Sequence, residues 1–271
     1  MEGRKKNENT EKYRLDSLER VLDVIECFTY ERQKLSLVEI TRLTGQNHTS
    51  LKRILFTLTN RNYLSQDKET KKYQFGIKFF EIGGLVYASM SLRKAAASHL
   101  AKLRDDTGFT VLLGIIMEEQ LIYVDKWEGH NVLRVSPRIG SRRPPHFGIL
   151  GRVLMAYMPP DKIDRLLTKY PLEQYTEKSI TNIQEFYKIL SEIRQNGFVF
   201  EREEIHQGTM GFAAPIWRAD NTIAGAVGIA MPVILVNDER EEQTIAHKLC
   251  QAAIAISKEM GYNGGPITRT T

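Results

Sequence analysis

The stretch Thr49-Ser50-Leu51-Lys52-Arg53-Ile54-Leu55-Phe56-Thr57-Leu58-Thr59-Asn60 decides the fold of the chain's first third. Leu51, Ile54, Leu55 and Leu58 fall at i, i+3, i+4 and i+7, a spacing that predicts a helix with one apolar stripe. Ser50, Arg53, Thr57 and Asn60 point away from that stripe, with Lys52 on a flank. One side buries; the other offers cations and hydroxyls to an anion. Taken alone, such a pattern is most simply an amphipathic surface helix, so its neighbours decide.

Upstream, Asp16-Ser17-Leu18-Glu19 reads as an acidic variant of a capping box, opening a helix that turns Leu18, Val21, Leu22, Ile25 and Phe28 inward. Ser36-Leu37-Val38-Glu39 is a second box, starting a short helix with Leu37, Ile40 and Leu43 inward. Thr44-Gly45-Gln46-Asn47 is a stop and turn, with Gly45 suited to a positive φ. Short helix, glycine turn and second helix make a helix-turn-helix. Downstream, Tyr63–Ser65 and Lys72–Phe75 read as two short strands around a lysine-rich turn, which adds a wing. Lys68, Lys71 and Lys72 lie on or near it, where phosphate contact is geometrically natural.

Charge agrees with that placement. The 271 residues carry a formal net charge of +5, with a sequence pI near 9.1. Residues 46–75 hold Lys52, Arg53, Arg61, Lys68, Lys71 and Lys72 against only Asp67 and Glu69, so most of the excess sits in and just after the opening helix. The two cysteines, Cys27 and Cys250, are far apart and form no C-x-x-C pair, which fits a reducing cytoplasm. Met1–Lys12 lacks the apolar core of a signal peptide, and Ile223–Val236 is interrupted by Gly225, Gly228 and Pro232, short of the roughly 20 residues of a membrane span. No membrane partner is expected.

The expected organisation is a flexible tail over 1–14, a winged helix-turn-helix over 15–76, a linker helix over 77–90 with a Gly83-Gly84 break, a second domain over 91–262 and a tail over 263–271. In the second domain a helix from Leu92 precedes strands at Phe109–Met117, Leu121–Trp127 and Val132–Ser136 and a basic loop, Arg138–Pro145. Helices follow at Phe147–Tyr157, Pro160–Thr168 and Glu185–Asn196, then strands at Gly197–Glu201, Thr209–Trp217 and Thr222–Met231, and a closing helix at Asp238–Met260. The fold class is therefore α+β, with an antiparallel sheet flanked by helices behind the winged helix.

Several ordered segments carry a resemblance. Ser17-Leu18-Glu19-Arg20-Val21-Leu22, Thr44-Gly45, Ser50-x-x-Arg53-x-Leu55-x-Thr57-Leu58 and Tyr73-x-Phe75-Gly76 are followed by Gly140-Ser141-Arg142-x-Pro144, Glu203-Glu204 and Ala213-Ala214-Pro215. In this order the chain resembles the isocitrate lyase regulator (IclR) family of bacterial transcription factors along nearly its whole length. The resemblance implies a GAF-like effector domain behind the winged helix, a homodimer or homotetramer, a palindromic double-stranded DNA operator and a small-molecule effector. It places Thr49, Ser50, Lys52, Arg53 and Thr57 at the DNA surface, with Arg53 leading. A guanidinium can reach guanine O6 and N7 or clamp a phosphate, and a salt bridge to Glu39 is the competing use of Arg53.

The effector pocket departs from the family pattern. Where many members carry a cysteine and serines that hold a small carboxylate, the corresponding positions are Gly211, Gly228 and Ala230. Glu201 is the acidic position, and Gly148-Ile149-Leu150 is the facing loop. The pocket is expected to have lost hydrogen-bonding groups and gained room. Either it takes a bulkier, more apolar effector, such as an aromatic, anchored by Glu201, Arg142, Arg143 or His146, or it is degenerate and the regulator is controlled in another way.

Enzyme motifs are missing. There is no G-x-S-x-G, G-x-G-x-x-G, Walker loop or H-E-x-x-H, and the six histidines form no metal-spaced pair with the cysteines. Glu203-Glu204 with His206 could be drawn as an acid–base or metal cluster but reads more simply as a solvated loop before Gly208, with a family-specific pocket edge as the further alternative. An enzyme built on the second domain is the remote alternative; no cofactor, metal or catalytic residue is expected.

Overall fold

The computed structural model describes residues 15–130, 137–236 and 238–264, without the side chains of 87–89. The expected tail over 1–14, most of that over 263–271 and the expected strand at Val132–Ser136 lie outside the described residues. The chain divides into two compact units, Met1–Ser89 and Met90–Thr271.

The first unit runs α1 (Asp16–Glu26), α2 (Leu37–Thr44), α3 (His48–Asn60), β1 (Leu64–Gln66), β2 (Tyr73–Phe75) and α4 (Ile77–Ser89). The second capping box forms as expected: Ser36 Oγ accepts from the Glu39 amide, and Glu39 Oε2 accepts from the Ser36 amide at 2.7 Å. Gly45 ends α2 at φ 65°, and Asn47 caps α3 by accepting from the Ser50 amide at 2.8 Å. The box expected at Asp16 does not form; Leu15 precedes α1, and no side chain caps it. The inward set is also shifted. Val24, Cys27 and Phe28 are buried, whereas Leu18, Leu22 and Leu43 stay exposed. With Ile40, Leu51, Leu55 and Leu64, Val24 in α1 and Cys27 and Phe28 just after it form the core of the unit.

The wing is an antiparallel hairpin pairing Leu64 with Phe75 and Gln66 with Tyr73, and Leu35 bridges Tyr73 on the far side. The break expected at Gly83-Gly84 is absent, since α4 continues through both glycines. The two cost helix propensity, ~1 kcal/mol each, without ending the helix.

Among the described residues the second unit places six strands in one antiparallel sheet, ordered β5-β4-β3-β8-β7-β6. They are β3 (Thr110–Met117), β4 (Gln120–Trp127), β5 (Arg142–Arg143), β6 (Val199–Arg202), β7 (Thr209–Trp217) and β8 (Ile223–Pro232). Part of the expected basic loop is thus β5, an edge strand pairing Arg142 with Ile122. The flanking helices are α5 (Ser91–Thr107), α6 (Gly148–Ala156), α7 (Pro160–Lys169), α8 (Ile183–Asn196) and α9 (Glu239–Glu259). One apolar cluster joins one face of the sheet to α5 and α9 through Leu100, Val111, Ile229 and Leu249; the other joins the opposite face to α6, α7 and α8 through Leu112, Ala213, Val153 and Leu190. Alternate strand residues therefore serve opposite cores, which is why β7 and β8 are apolar almost throughout. Among the described residues no helix is long and apolar enough to cross a membrane.

Candidate functional site

Two regions of the molecule carry chemistry, one in each unit. In the first, α3 lays Leu51, Leu55 and Leu58 into the core and leaves Thr49, Lys52, Arg53 and Thr57 exposed, with Ser50 half-buried. The Ser50 amide is held by the Asn47 cap, and Thr57 Oγ1 donates to the Arg53 carbonyl at 2.9 Å, which leaves the Thr57 oxygen as an acceptor. Glu39, the competing partner considered for Arg53, is engaged elsewhere. Its carboxylate accepts from the Ser36 amide and lies 3.8 Å from Lys72 Nζ. Those contacts hold the Glu39 carboxyl below the usual carboxylate range, the Ser36 hydrogen bonds first among them.

Lys68 and Lys71 are exposed in the wing, and Lys72 is half-buried beside Glu39. Asp67 shapes the wing turn by accepting from the Glu69 and Thr70 amides, and Lys71 adopts φ 56° in it. A helix and a hairpin thus present cations on one unit, the arrangement suited to a polyanion.

In the second unit a cavity of roughly 250 Å³ opens at the start of α6. Its floor is set by register. Glu201 on β6 pairs with Gly211 on β7, which pairs with Ala230 on β8, so a row of small residues leads across the sheet to one carboxyl group. Gly148 at φ 59° and the first residues of α6 form the facing wall. The first amides of a helix have no partner within it, so this wall suits an anion. Of the ten positions named from the sequence, Arg143, Gly148, Ile149, Leu150, Glu201, Gly211 and Ala230 line the cavity; Gly228, Arg142 and His146 do not. Gly228 lies beneath α6, Arg142 pairs with Glu118 at 2.7 Å, and His146 is buried edge-on to Phe186. Burial holds the His146 imidazole below its ordinary pKa.

The expected gain in room is largely absent. A Cβ on Gly211 would come within 2.9 Å of Ile149 Cδ1, and one on Gly228 within 3.1 Å of the same atom and 3.0 Å of Leu150 Cδ2. The volume surrendered by the glycines is occupied by Ile149 and Leu150, which stand in the first turn of α6 rather than in the expected loop.

Glu201 is only 6% exposed, and burial raises its carboxyl to about 7; Arg152 opposes that rise and Glu204 adds to it. Its Oε1 accepts from the Ile205 amide at 3.2 Å. The segment after it is pinned from behind, because Thr176 and Ser179 donate to the carbonyls of Glu203 and Glu204, each at 2.7 Å, and Arg152 pairs with Glu204 at 2.7 Å. Glu203 instead pairs with Lys178, so Glu203, Glu204 and His206 do not converge on one point. Arg143, one of the anchors considered from the sequence, and His206, on the loop considered as a pocket edge, line the cavity, whereas sequence reasoning missed Tyr123. Tyr123 lies on a strand remote in sequence and gave no local signal. Burial pushes the Tyr123 hydroxyl up to about 12.

Residues 17–68 match the family model for the IclR helix-turn-helix domain, and residues 85–258 match that for the bacterial transcriptional regulator IclR C-terminal domain. The HTH-type transcriptional regulator XynR of Escherichia coli (strain K12) is 29% identical over 248 residues, covering 92% of this chain and 98% of that protein. A transcriptional regulator from Rhodococcus sp. RHA1 superposes with a TM-score of 0.84 at 27% identity, over 92% of this chain and 99% of that one. An IclR homologue from Microbacterium hydrocarbonoxydans, solved in complex with 4-hydroxybenzoate, shares the fold with a TM-score of 0.80 at 20% identity, over 91% and 99% of the two chains.

Proposed function

We propose, from the premise that this chain belongs to the IclR family of bacterial transcriptional regulators, how its two sites divide the work. The protein is a DNA-binding transcriptional regulator and not an enzyme. The finer reading is that Thr49, Lys52, Arg53 and Thr57 address bases and adjoining phosphates from α3, with Ser50 at the helix start, while Lys68, Lys71 and Lys72 hold the backbone from the wing. The observation carrying it is the exposed cationic face of a helix whose opposite face is fully buried. Arg53 leads because the carboxylate that could neutralise it serves Ser36 and Lys72 instead.

A paired arrangement on a palindromic operator is part of the same reading. On α4, Ile77, Phe80, Leu85 and Val86 are exposed, as are Leu15, Leu18 and Leu22 at α1. A helix apolar around much of its circumference is expected to be covered, and a second copy would supply the cover. Two winged helices would then read half-sites about one helical turn apart or a multiple of it.

The effector reading is a small acid with at most a single ring, held in the cavity above Gly211 and Ala230. Its carboxylate would meet the amides at the start of α6, and the Glu201 carboxyl, which burial keeps partly protonated near neutral pH, would donate to it. The 4-hydroxybenzoate of the Microbacterium homologue is of that size and class. Ligand and operator are coupled to the extent that the ligand binds the DNA-competent and incompetent arrangements unequally.

Replacing Arg53 with Ala tests the DNA half of this reading. Specific operator affinity should fall by ~1–3 kcal/mol, or about five- to 150-fold, with the melting temperature unchanged. Unaltered affinity in a gel shift would remove α3 as the reading helix.

A further inference from the structure

The outermost line of α3 is not wholly polar. Thr49, Arg53, Phe56 and Asn60 are spaced i, i+4, i+7 and i+11, which places them on one stripe opposite Leu51, Leu55 and Leu58. All four are exposed, and Phe56 keeps 69% of its surface in water at the middle of the stripe. A lone exposed aromatic needs no explanation by itself. This one stands inside a cationic frame. A groove of roughly 520 Å³ beside it, toward the wing, is lined by Lys52, Asn60 and Lys71 together with Thr59 and Val38. An apolar protein surface would have to strip water from those lysines without partnering them, whereas a nucleic acid would neutralise them.

The residue types on the stripe each match a base edge exposed in the major groove. A guanidinium matches guanine, a carboxamide matches adenine, and an apolar side chain matches the C5-methyl group of thymine. We propose that Phe56 is a specificity-determining residue that packs its ring against a thymine methyl beside the base read by Arg53. The inference rests on α3 being the reading helix. Three residues of helix advance about 4.5 Å, comparable to the ~3.4 Å base-pair step, so the two side chains address neighbouring positions of a half-site.

The test uses the full chain and an operator duplex obtained by in vitro selection. Each thymine of one half-site is replaced in turn by deoxyuridine, which deletes the methyl group and keeps every hydrogen-bonding group. At one position the wild-type protein should lose about fourfold in affinity, the loss of one buried methyl at ~0.8 kcal/mol and ~1.4 kcal/mol per decade. Phe56→Ala should bind thymine and deoxyuridine at that position equally. The proposal is overturned if no methyl matters to the wild type, or if Phe56→Ala remains as sensitive to the methyl as the wild type. It is also overturned if Phe56→Ala changes the oligomeric state, which would give the ring to a contact between copies. Arg53→Ala separates the two levels. If it loses operator affinity while no methyl matters, only the role of Phe56 falls; if it binds as the wild type does, the reading helix falls with it.

Discussion

The outer face of α3 and the cavity at the start of α6 solve opposite problems. On α3 the functional side chains are displayed, with Arg53 and Phe56 in water and the apolar stripe behind them taken up by the core. In the cavity the Glu201 carboxyl is withdrawn from water, and its immediate neighbours across the sheet are glycine and alanine. A face that meets a polyanion can leave its charges solvated until binding, because the attraction is long-ranged and screened by salt rather than by the protein. A site that meets a small molecule must be desolvated beforehand, and the burial that does so also moves the carboxyl's pKa to about 7. Exposure suits the reading of DNA, and burial suits the sensing of a ligand.

The largest effect should come from the buried side of that contrast. Glu201 holds its proton more tightly in the folded chain, where its pKa is about 7, than in the unfolded chain near 4.5. Stability should therefore fall as pH rises from about 4.5 to about 7, by up to ~3 kcal/mol, and the cost should be complete above that window. Glu201→Gln should abolish that slope and melt higher than the wild type at pH 8, with little difference at pH 4.5. Parallel melting curves across the range would show the carboxyl to be hydrated, and the contrast between the two sites would lose its basis.

The wing offers the next effect, on the exposed side. Replacing both Lys71 and Lys72 with Ala should weaken binding to operator and unrelated duplex alike, about tenfold at moderate salt, and should flatten the log–log salt slope by about 2. A loss confined to the operator would make the wing a reader of sequence rather than a phosphate contact. A smaller effect should follow from Ser36→Ala, which removes the hydroxyl of the α2 capping box. It should cost ~1 kcal/mol of stability in a denaturant melt of the first unit, with the reading face intact.

How much could be read from sequence follows the same division. The helix-turn-helix was legible because its signals are local: a serine box at Ser36, a left-handed turn at Gly45 and a leucine stripe on α3 all lie within one short stretch. Even there the pattern misled where propensity competed with packing. Leu18 and Leu22 fit an inward stripe yet stay exposed, because Val24 and Phe28 take the core positions. Phe56 went unnoticed for the opposite reason, since an apolar residue on the outer face has no periodic signal. The cavity was legible only through family resemblance, as it joins Tyr123 on β4, the start of α6, Glu201 on β6 and Ala230 on β8. No spacing rule links those positions. Nor could the sequence show that Ile149 and Leu150 would fill the space left by Gly211 and Gly228, which is a matter of side-chain packing across the sheet.

The most direct test of a DNA-reading face governed by a buried sensing cavity is reciprocal linkage in the full-length protein. A small aromatic or aliphatic acid that raises the melting temperature is chosen as the probe, and operator affinity is titrated with and without it, as is acid affinity with and without operator. The account predicts that the two affinities change by the same factor, of order five- to a hundredfold, as thermodynamic coupling requires. An acid that stabilises the protein while leaving operator affinity unchanged would contradict it.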